Sequence, residues 1–296
     1  MLKEKTKQME SKHPDLPSQL IARLKSLPLL DPSWTKIGKF CNKVDVPYTV
    51  AALQRLLSLC RNDVEFLATL RNHSQKVAPQ EARSLARIRD IRPELDRLLA
   101  DKQINTNQLN YLDVGCAEGQ ITEAVADYLK LKADRAFGVD VEGAHSSSAK
   151  TKPSAVGYTL KLYNGRDLEF KSEQFDLMTA FMAAHHFENP DETIASMRRV
   201  MKRQGLLIVR EHDVAEGDWQ MGIFLDFVHA VYMSVVGSEA TPLQFAHLYS
   251  KSTAFARYRS SDYWIKVFAK YGFVLQEKRQ TNDLFASCYM IFKVVV

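Results

Sequence analysis

The sequence predicts an α/β fold: a seven-stranded, mostly parallel sheet with helices on both faces, plus a helical N-terminal region. Three observations carry this. From Asn110 onward short apolar runs alternate with helix-length segments, the grammar of parallel strands joined by crossover helices. Residues 16–104 instead place apolar side chains three and four apart, and nothing there reads as a strand pair. The last two apolar runs are separated by a loop too short for a crossover, so they pair as an antiparallel hairpin at the sheet edge.

In chain order, a polar tail over 1–15 leads into a helical region over 16–105. Its helical segments are LPSQLIARLKSLPLL, YTVAALQRLLSLC, NDVEFLATLRNH and APQEARSLARIRDIRPELDRLLADK; Pro93 predicts a kink or break in the last near Arg92. DKQINTNQ, polar and aperiodic, reads as the joint to an α/β domain over 106–296. There NYLDVG, RAFGVDV, LKLYNG, FDLMTAF and GLLIVREH are the first five strands, and GFVLQEKRQ and SCYMIFKVVV the hairpin. GAHSSSAKTKPSA reads as a surface loop. Residues from about 215 to 264 form an aromatic-rich insertion, with Trp219, Phe224, Phe227, Tyr232, Phe245 and Tyr249, that is expected to cover a substrate as a lid.

With 296 residues, 46% of them hydrophobic and 25% charged, the chain has ordinary globular proportions, which exclude collagen-like and low-complexity classes. Cys41, Cys60, Cys116 and Cys288 stand far apart with no C-x-x-C pair, which argues against a zinc ribbon, an iron–sulfur cluster or a disulfide scaffold; no metal is expected. The first residues lack the apolar core of a signal peptide, and no segment reaches ~18 uninterrupted apolar residues, so a soluble, cytoplasmic protein with no membrane contact is expected. Residues 1–105 carry 19 Lys+Arg against 12 Asp+Glu, a balance of +7, whereas residues 106–296 balance at −2. A basic excess confined to one third of the chain suits an anionic partner such as nucleic acid.

The chemistry is concentrated in Leu112-Asp113-Val114-Gly115-Cys116-Ala117-Glu118-Gly119-Gln120, a buried strand ending in a turn with glycines four apart, then a helix from about Ile121. Gly115 and Gly119 allow a ligand to approach the backbone where a Cβ would clash. Neither the dinucleotide fingerprint G-x-G-x-x-G nor the Walker A pattern is present. Asp140 ends the second strand, 25 positions after Gly115, where a carboxylate can accept both hydroxyls of a ribose. Asp167, in Asn164-Gly165-Arg166-Asp167-Leu168, closes the third, where it or a neighbouring backbone group would meet an adenine amino group.

With these residues in this order, the chain from about Leu109 to Val296 resembles the class I S-adenosylmethionine-dependent methyltransferases, in particular the subgroup that includes the ubiquinone and menaquinone biosynthesis enzymes. The resemblance implies a Rossmann-like sheet, S-adenosylmethionine as cofactor, and cofactor-binding roles for Asp113, Gly115, Ala117, Gly119, Asp140 and Asp167. Further matches are Phe175-Asp176-Leu177, Ala184-His185-His186-Phe187 and the stretch Arg199 to Ile208, in which Gln204 departs from a frequent Pro.

Methyl transfer from a sulfonium is an in-line displacement that positioning alone can drive, and a base is needed only when the acceptor must lose a proton. His186, His185, His212 and Glu211, with Asp213 beside them, are the catalytic candidates, all at the carboxyl edge of the sheet. The end of the fourth strand, Phe181-Met182-Ala183-Ala184-His185-His186, lacks [DN]-P-P-[YFW], a Pro-Cys pair and a terminal Asp. The family resemblance ties those features to amide or adenine-N6, cytosine-C5 and ribose 2′-O acceptors, so it implies that these are not the acceptor. Arg257-Tyr258-Arg259-Ser260-Ser261-Asp262-Tyr263-Trp264 interleaves cations with rings, and Arg83, Arg87, Arg89 and Arg92 add to the basic helices. RNA, such as a cap or other RNA end, is the expected acceptor. A small-molecule substrate is the alternative, and a non-catalytic subunit that binds a partner through the N-terminal helices is the second.

Overall fold

The computed structural model describes residues 19–44, 49–73, 80–100, 108–117, 119–141, 158–236 and 258–295. The expected tail over 1–15, the surface loop at 143–155, most of the DKQINTNQ joint, Glu118, the insertion residues Phe245, Tyr249 and Arg257, and the side chain of Arg83 lie outside them. In chain order the elements are α1 (Gln19–Ser26), α2 (Pro32–Lys43), α3 (Val50–Leu59), α4 (Asp63–His73), α5 (Gln80–Ala100), β1 (Tyr111–Val114), α6 (Gln120–Leu129), β2 (Ala136–Val141), β3 (Thr159–Tyr163) and β4 (Phe175–Phe181). A 3₁₀ turn (Ala184–His186) follows, then α7 (Pro190–Val200), β5 (Met201–His212), α8 (Trp219–Val236), α9 (Ser261–Lys270), β6 (Phe273–Gln280) and β7 (Ser287–Val294). No helix among the described residues is long and apolar enough to cross a membrane.

The seven strands form one sheet in the order β3-β2-β1-β4-β5-β7-β6. Its first five strands run parallel, and β7 pairs antiparallel with both β5 and β6, as the short final connection requires. Strand order reverses between β1 and β4, the point where open parallel sheets leave a crevice outside their carboxyl ends. On one face Leu112, Val114, Met178, Ala180, Leu207 and Val209 pack with Ile194 and Met197 of α7 and Trp264 and Phe268 of α9. On the other, Tyr111, Leu177, Ile208 and Ile291 pack with Val125 and Leu129 of α6 and with Ile88, Ile91, Leu95 and Leu98 of α5.

The chain divides into two compact units, residues 77–222 with 255–296, and residues 1–76 with 223–254. This moves two expected boundaries. The first is the break at 105: α5 belongs to the sheet unit, because its apolar stripe covers the sheet and Glu94, 2% exposed, pairs with Arg279 of β6. α5 also runs without interruption through Pro93, whose side lies on the exposed face, so the carbonyl it leaves unpaired can be hydrated. The second is the insertion at 215–264: most of α8 is part of the first unit's core, where Phe224, Phe227 and Tyr232 pack edge-to-face around Phe40 of α2. Phe224 and Phe227 are buried in that core, and Tyr232 is half-buried beside it. Trp264 is buried in the sheet unit, and Trp219 is half-exposed.

Within the first unit, α2 begins at Asp31, whose carboxylate accepts from the Ser33 N–H ahead of Pro32, and α3 at Thr49, whose hydroxyl accepts from the Ala52 N–H. Asp63 of α4 accepts from the N–H groups of Leu20 and Ile21 in the first turn of α1, and Arg23 pairs with Asp226 of α8. The α2 helix, which the sequence reading did not single out, buries Trp34, Ile37, Phe40 and Cys41 on one face.

Candidate functional site

The turn after β1 is built on left-handed backbone. Gly115, Ala117 and Gly119 have φ of 74°, 51° and 82°. Gly115 and Cys116 donate to the Val139 carbonyl, and Gly119 to that of Cys116, which closes the turn onto β2 and opens α6. A Cβ at Gly115 would collide with the side chain of Ala183 after β4, and one at Gly119 with the ring and hydroxyl of Tyr158. The glycines therefore admit protein neighbours, and Tyr158, which the sequence did not single out, stands over the helix entry. Gly119 is the N-cap of α6 and offers no side chain to its first N–H groups, so the helix start suits an anionic ligand group.

Asp113 does not line the turn, contrary to expectation. It is 2% exposed, and its two carboxylate oxygens accept from the hydroxyls of Thr122 on α6 and Thr179 on β4, at 2.9 and 2.7 Å. Tyr111 extends this network to Thr179. A lone threonine inside the apolar run FDLMTAF is the sequence signal that could have revealed it. Burial pushes the Asp113 carboxyl up to about 6, although both threonines pull the other way. Because the folded state holds this proton more tightly than the unfolded chain, the contribution of Asp113 to stability is present below pH 4 and is lost as pH rises toward 6, by roughly 2–3 kcal/mol. In Asp113→Asn that loss disappears, so denaturant melts at pH 4 and pH 7 should show the variant gaining on the wild type by this amount. Equal differences at both values would defeat the assignment.

Asp140, at the end of β2, accepts from the N–H of Ala117 through Oδ2 and from its neighbour Val141 through Oδ1, each at 2.7 Å. It joins the turn to the strand edge, and a carboxylate with about four lone-pair positions can hold hydroxyl donors in addition. Asp167 lies elsewhere. Its exposed carboxylate accepts from Ser196 and Arg199 of α7, which hold it below the usual carboxylate range, while Arg199 also binds the Leu168 and Phe170 carbonyls. Among the described contacts Asp167 fastens the loop after β3 to α7 through Oδ1 and does not meet the turn or Asp140. Asn164 forms the turn there, accepting from the N–H groups of Arg166 and Asp167.

The remaining candidates converge beside Ala183. Glu211, fully buried at the end of β5, accepts from the Nδ1 and backbone N–H of His185, at 2.7 and 3.2 Å, and from the backbone N–H of His212 at 3.2 Å. Burial pushes its carboxyl above the ordinary range, against the His212 charge and the amides of Ala184, His185 and His212. With Glu211 ionised, a carboxylate that can only accept, the 2.7 Å contact puts the His185 proton on Nδ1. The same reasoning holds for His212, whose Nδ1 donates to the Phe285 carbonyl at 2.8 Å. The ring of His185 lies 4.0 Å from that of His186, 5.1 Å from that of His212 and 5.8 Å from that of Tyr258, a residue missed as part of the group. His185 and His212 are buried, and His186 and Tyr258 are half-buried. Asp213 turns away and accepts from the Ser261 N–H, which brings the segment from Tyr258 back along the strand edge. Met182, with φ of 56°, places the turn that carries the two histidines, a conformation that costs a non-glycine residue about 1–2 kcal/mol.

Residues 112–209 match the family model described as a methyltransferase domain. No curated protein matches the chain. Among solved structures, a SAM-dependent methyltransferase from Aquifex aeolicus is 12% identical, covering 74% of this chain and 100% of its own, with a TM-score of 0.44. One from Methanosarcina mazei is 15% identical, covering 69% and 98%, with a TM-score of 0.45. A Haloferax volcanii methyltransferase solved in complex with the Trm112 activator is 14% identical, covering 74% and 100%, with a TM-score of 0.45.

Proposed function

We propose that this chain is a class I S-adenosylmethionine-dependent methyltransferase that moves the methyl group of S-adenosylmethionine to RNA, with His186 taking the proton that the acceptor loses. The cofactor fits the residues present: the left-handed residues Gly115, Ala117 and Gly119 would hold its methionine part, with the start of α6, which has no side-chain cap, toward the carboxylate, and Asp140 its ribose. It supplies an electrophilic methyl group on a sulfonium.

The observation that carries the reading is the contact of Gly115 with Ala183, which joins the cofactor turn directly to the turn bearing His185 and His186. A methyl donor held in that turn and a proton acceptor at His186 would then share one strand edge, which supports in-line transfer. His186 is the half-buried member of the histidine pair, which supports it as the imidazole that meets an acceptor. The +7 balance of residues 1–105 supports an anionic acceptor. Four free, buried cysteines, Cys41, Cys60, Cys116 and Cys288, suit a reducing cytoplasm.

The test combines calorimetry with methyl release. S-adenosylmethionine should bind the intact chain, and Asp140→Ala should weaken it about tenfold to a hundredfold through loss of hydrogen bonds to a charged acceptor. Methyl release should occur on total RNA, with RNA affinity falling steeply as salt rises because phosphate counterions are released on binding. Transfer to a metabolite extract with no RNA dependence would select a small-molecule acceptor. Cofactor binding without transfer to either would select a non-catalytic subunit.

A further inference from the structure

We infer that Glu211 is a positioning residue for methyl transfer: acting through His185, it fixes the imidazole of His186 where the acceptor's proton is taken. This rests on the reading just given. The carboxylate is closed in on all sides by donors, the Nδ1 of His185 and the amides of Ala184, His185 and His212, and it reaches neither the half-buried ring of His186 nor the surface.

Two consequences follow from that geometry. The amides of Ala184 and His185 open the 3₁₀ turn, so Glu211 welds the turn that carries His186 to the end of β5. The bond to Nδ1 locks both the plane and the tautomer of His185, and His186 packs against that locked ring at 4.0 Å and 46°. Packing alone does not account for the choice of residues. A fully buried carboxylate carries a desolvation cost that an apolar pair in the same corner would avoid. What the acid adds is a single ring orientation. In the transfer step the acceptor atom bonds to the methyl carbon as the sulfonium bond breaks and the product thioether leaves neutral, while the acceptor's proton passes to the His186 ring. His185 and Glu211 exchange no proton in this step.

Glu211→Gln separates orientation from bulk. Its carbonyl oxygen can still accept from the turn amides, but its NH₂ cannot accept from Nδ1, so His185 should move its proton to Nε2. In the full chain labelled with ¹⁵N-histidine, NMR should show the His185 proton on Nδ1 in the wild type and on Nε2 in Glu211→Gln. The His185 signal is identified by its loss in His185→Asn. With total RNA as acceptor, kcat should fall about tenfold to a hundredfold in Glu211→Gln, with apparent KM and S-adenosylmethionine affinity unchanged, as expected when a reacting group is displaced by a fraction of an ångström to one ångström. His185→Asn keeps a donor for Glu211 in place of Nδ1 but removes the ring, and should show the same loss of kcat with S-adenosylmethionine affinity unchanged; it carries the test if Glu211→Gln does not fold. An unchanged tautomer, a changed tautomer with full kcat, or full turnover in His185→Asn each overturns the role. If the wild type methylates neither RNA nor a metabolite extract, the proposed function itself fails, and this is seen before any variant is compared.

Discussion

A chain that begins at residue 106 is expected not to fold, although the sequence alone puts a domain boundary there. Cutting at that point removes α5, and with it Ile88, Ile91, Leu95 and Leu98, which are 8%, 0%, 0% and 7% exposed against Tyr111, Ile121, Val125 and Leu129. At about 1.5–3 kcal/mol for each buried aliphatic side chain, the loss is roughly 6–12 kcal/mol, as large as the whole stability of a typical domain. The pair between Arg279 and the buried Glu94 goes as well, and Arg279 of β6 is left without that partner. Circular dichroism and S-adenosylmethionine calorimetry on fragments 106–296 and 77–296 check this, because both lack the same helices before residue 77 and differ by α5. In the full chain, Leu95→Ala alone should cost about 2–5 kcal/mol. A 106–296 fragment with the melting temperature and cofactor affinity of 77–296 would show that α5 is dispensable.

His186→Asn is expected to keep cofactor affinity and lose turnover by a hundredfold or more, the range in which removal of a general base falls. Asparagine retains a polar group of similar reach, so the 3₁₀ turn over 184–186 and its hydrogen bonds to Glu211, which involve His185 and not the His186 side chain, should survive. The measurement is single-turnover transfer to RNA alongside calorimetry. Loss confined to the rate supports proton removal by His186. Full turnover would mean that transfer here is driven by positioning alone. Loss of S-adenosylmethionine affinity in step with rate would mean instead that His186 serves the cofactor cradle.

Seven strands, their order of occurrence, the terminal hairpin and the glycine turn were legible in the sequence, because each depends on local pattern: apolar runs of strand length, glycines where backbone must be left-handed, and a final connection too short for a crossover. The meeting of His185, His186, Glu211 and His212 was legible for the same reason, since residues that end parallel strands must share one edge. Which of them touches solvent, and which is held by which, was not. That depends on contacts 26 residues apart for His185 and Glu211, and 73 apart for His212 and Phe285. Asp113 and Asp167 show the limit most clearly: each stands where a ligand contact is expected, yet Thr122 and Thr179 claim both oxygens of the first, and Ser196 and Arg199 share one oxygen of the second. A carboxylate at a strand end takes whichever donors the neighbouring helix and strand bring within reach, and those are known only once the layers are packed. The same holds for domain membership. Periodicity shows that α5 and α8 each have an apolar face, but it is blind to the partner, and the apolar surface each one covers is what assigned α5 to the sheet and most of α8 to the N-terminal helices.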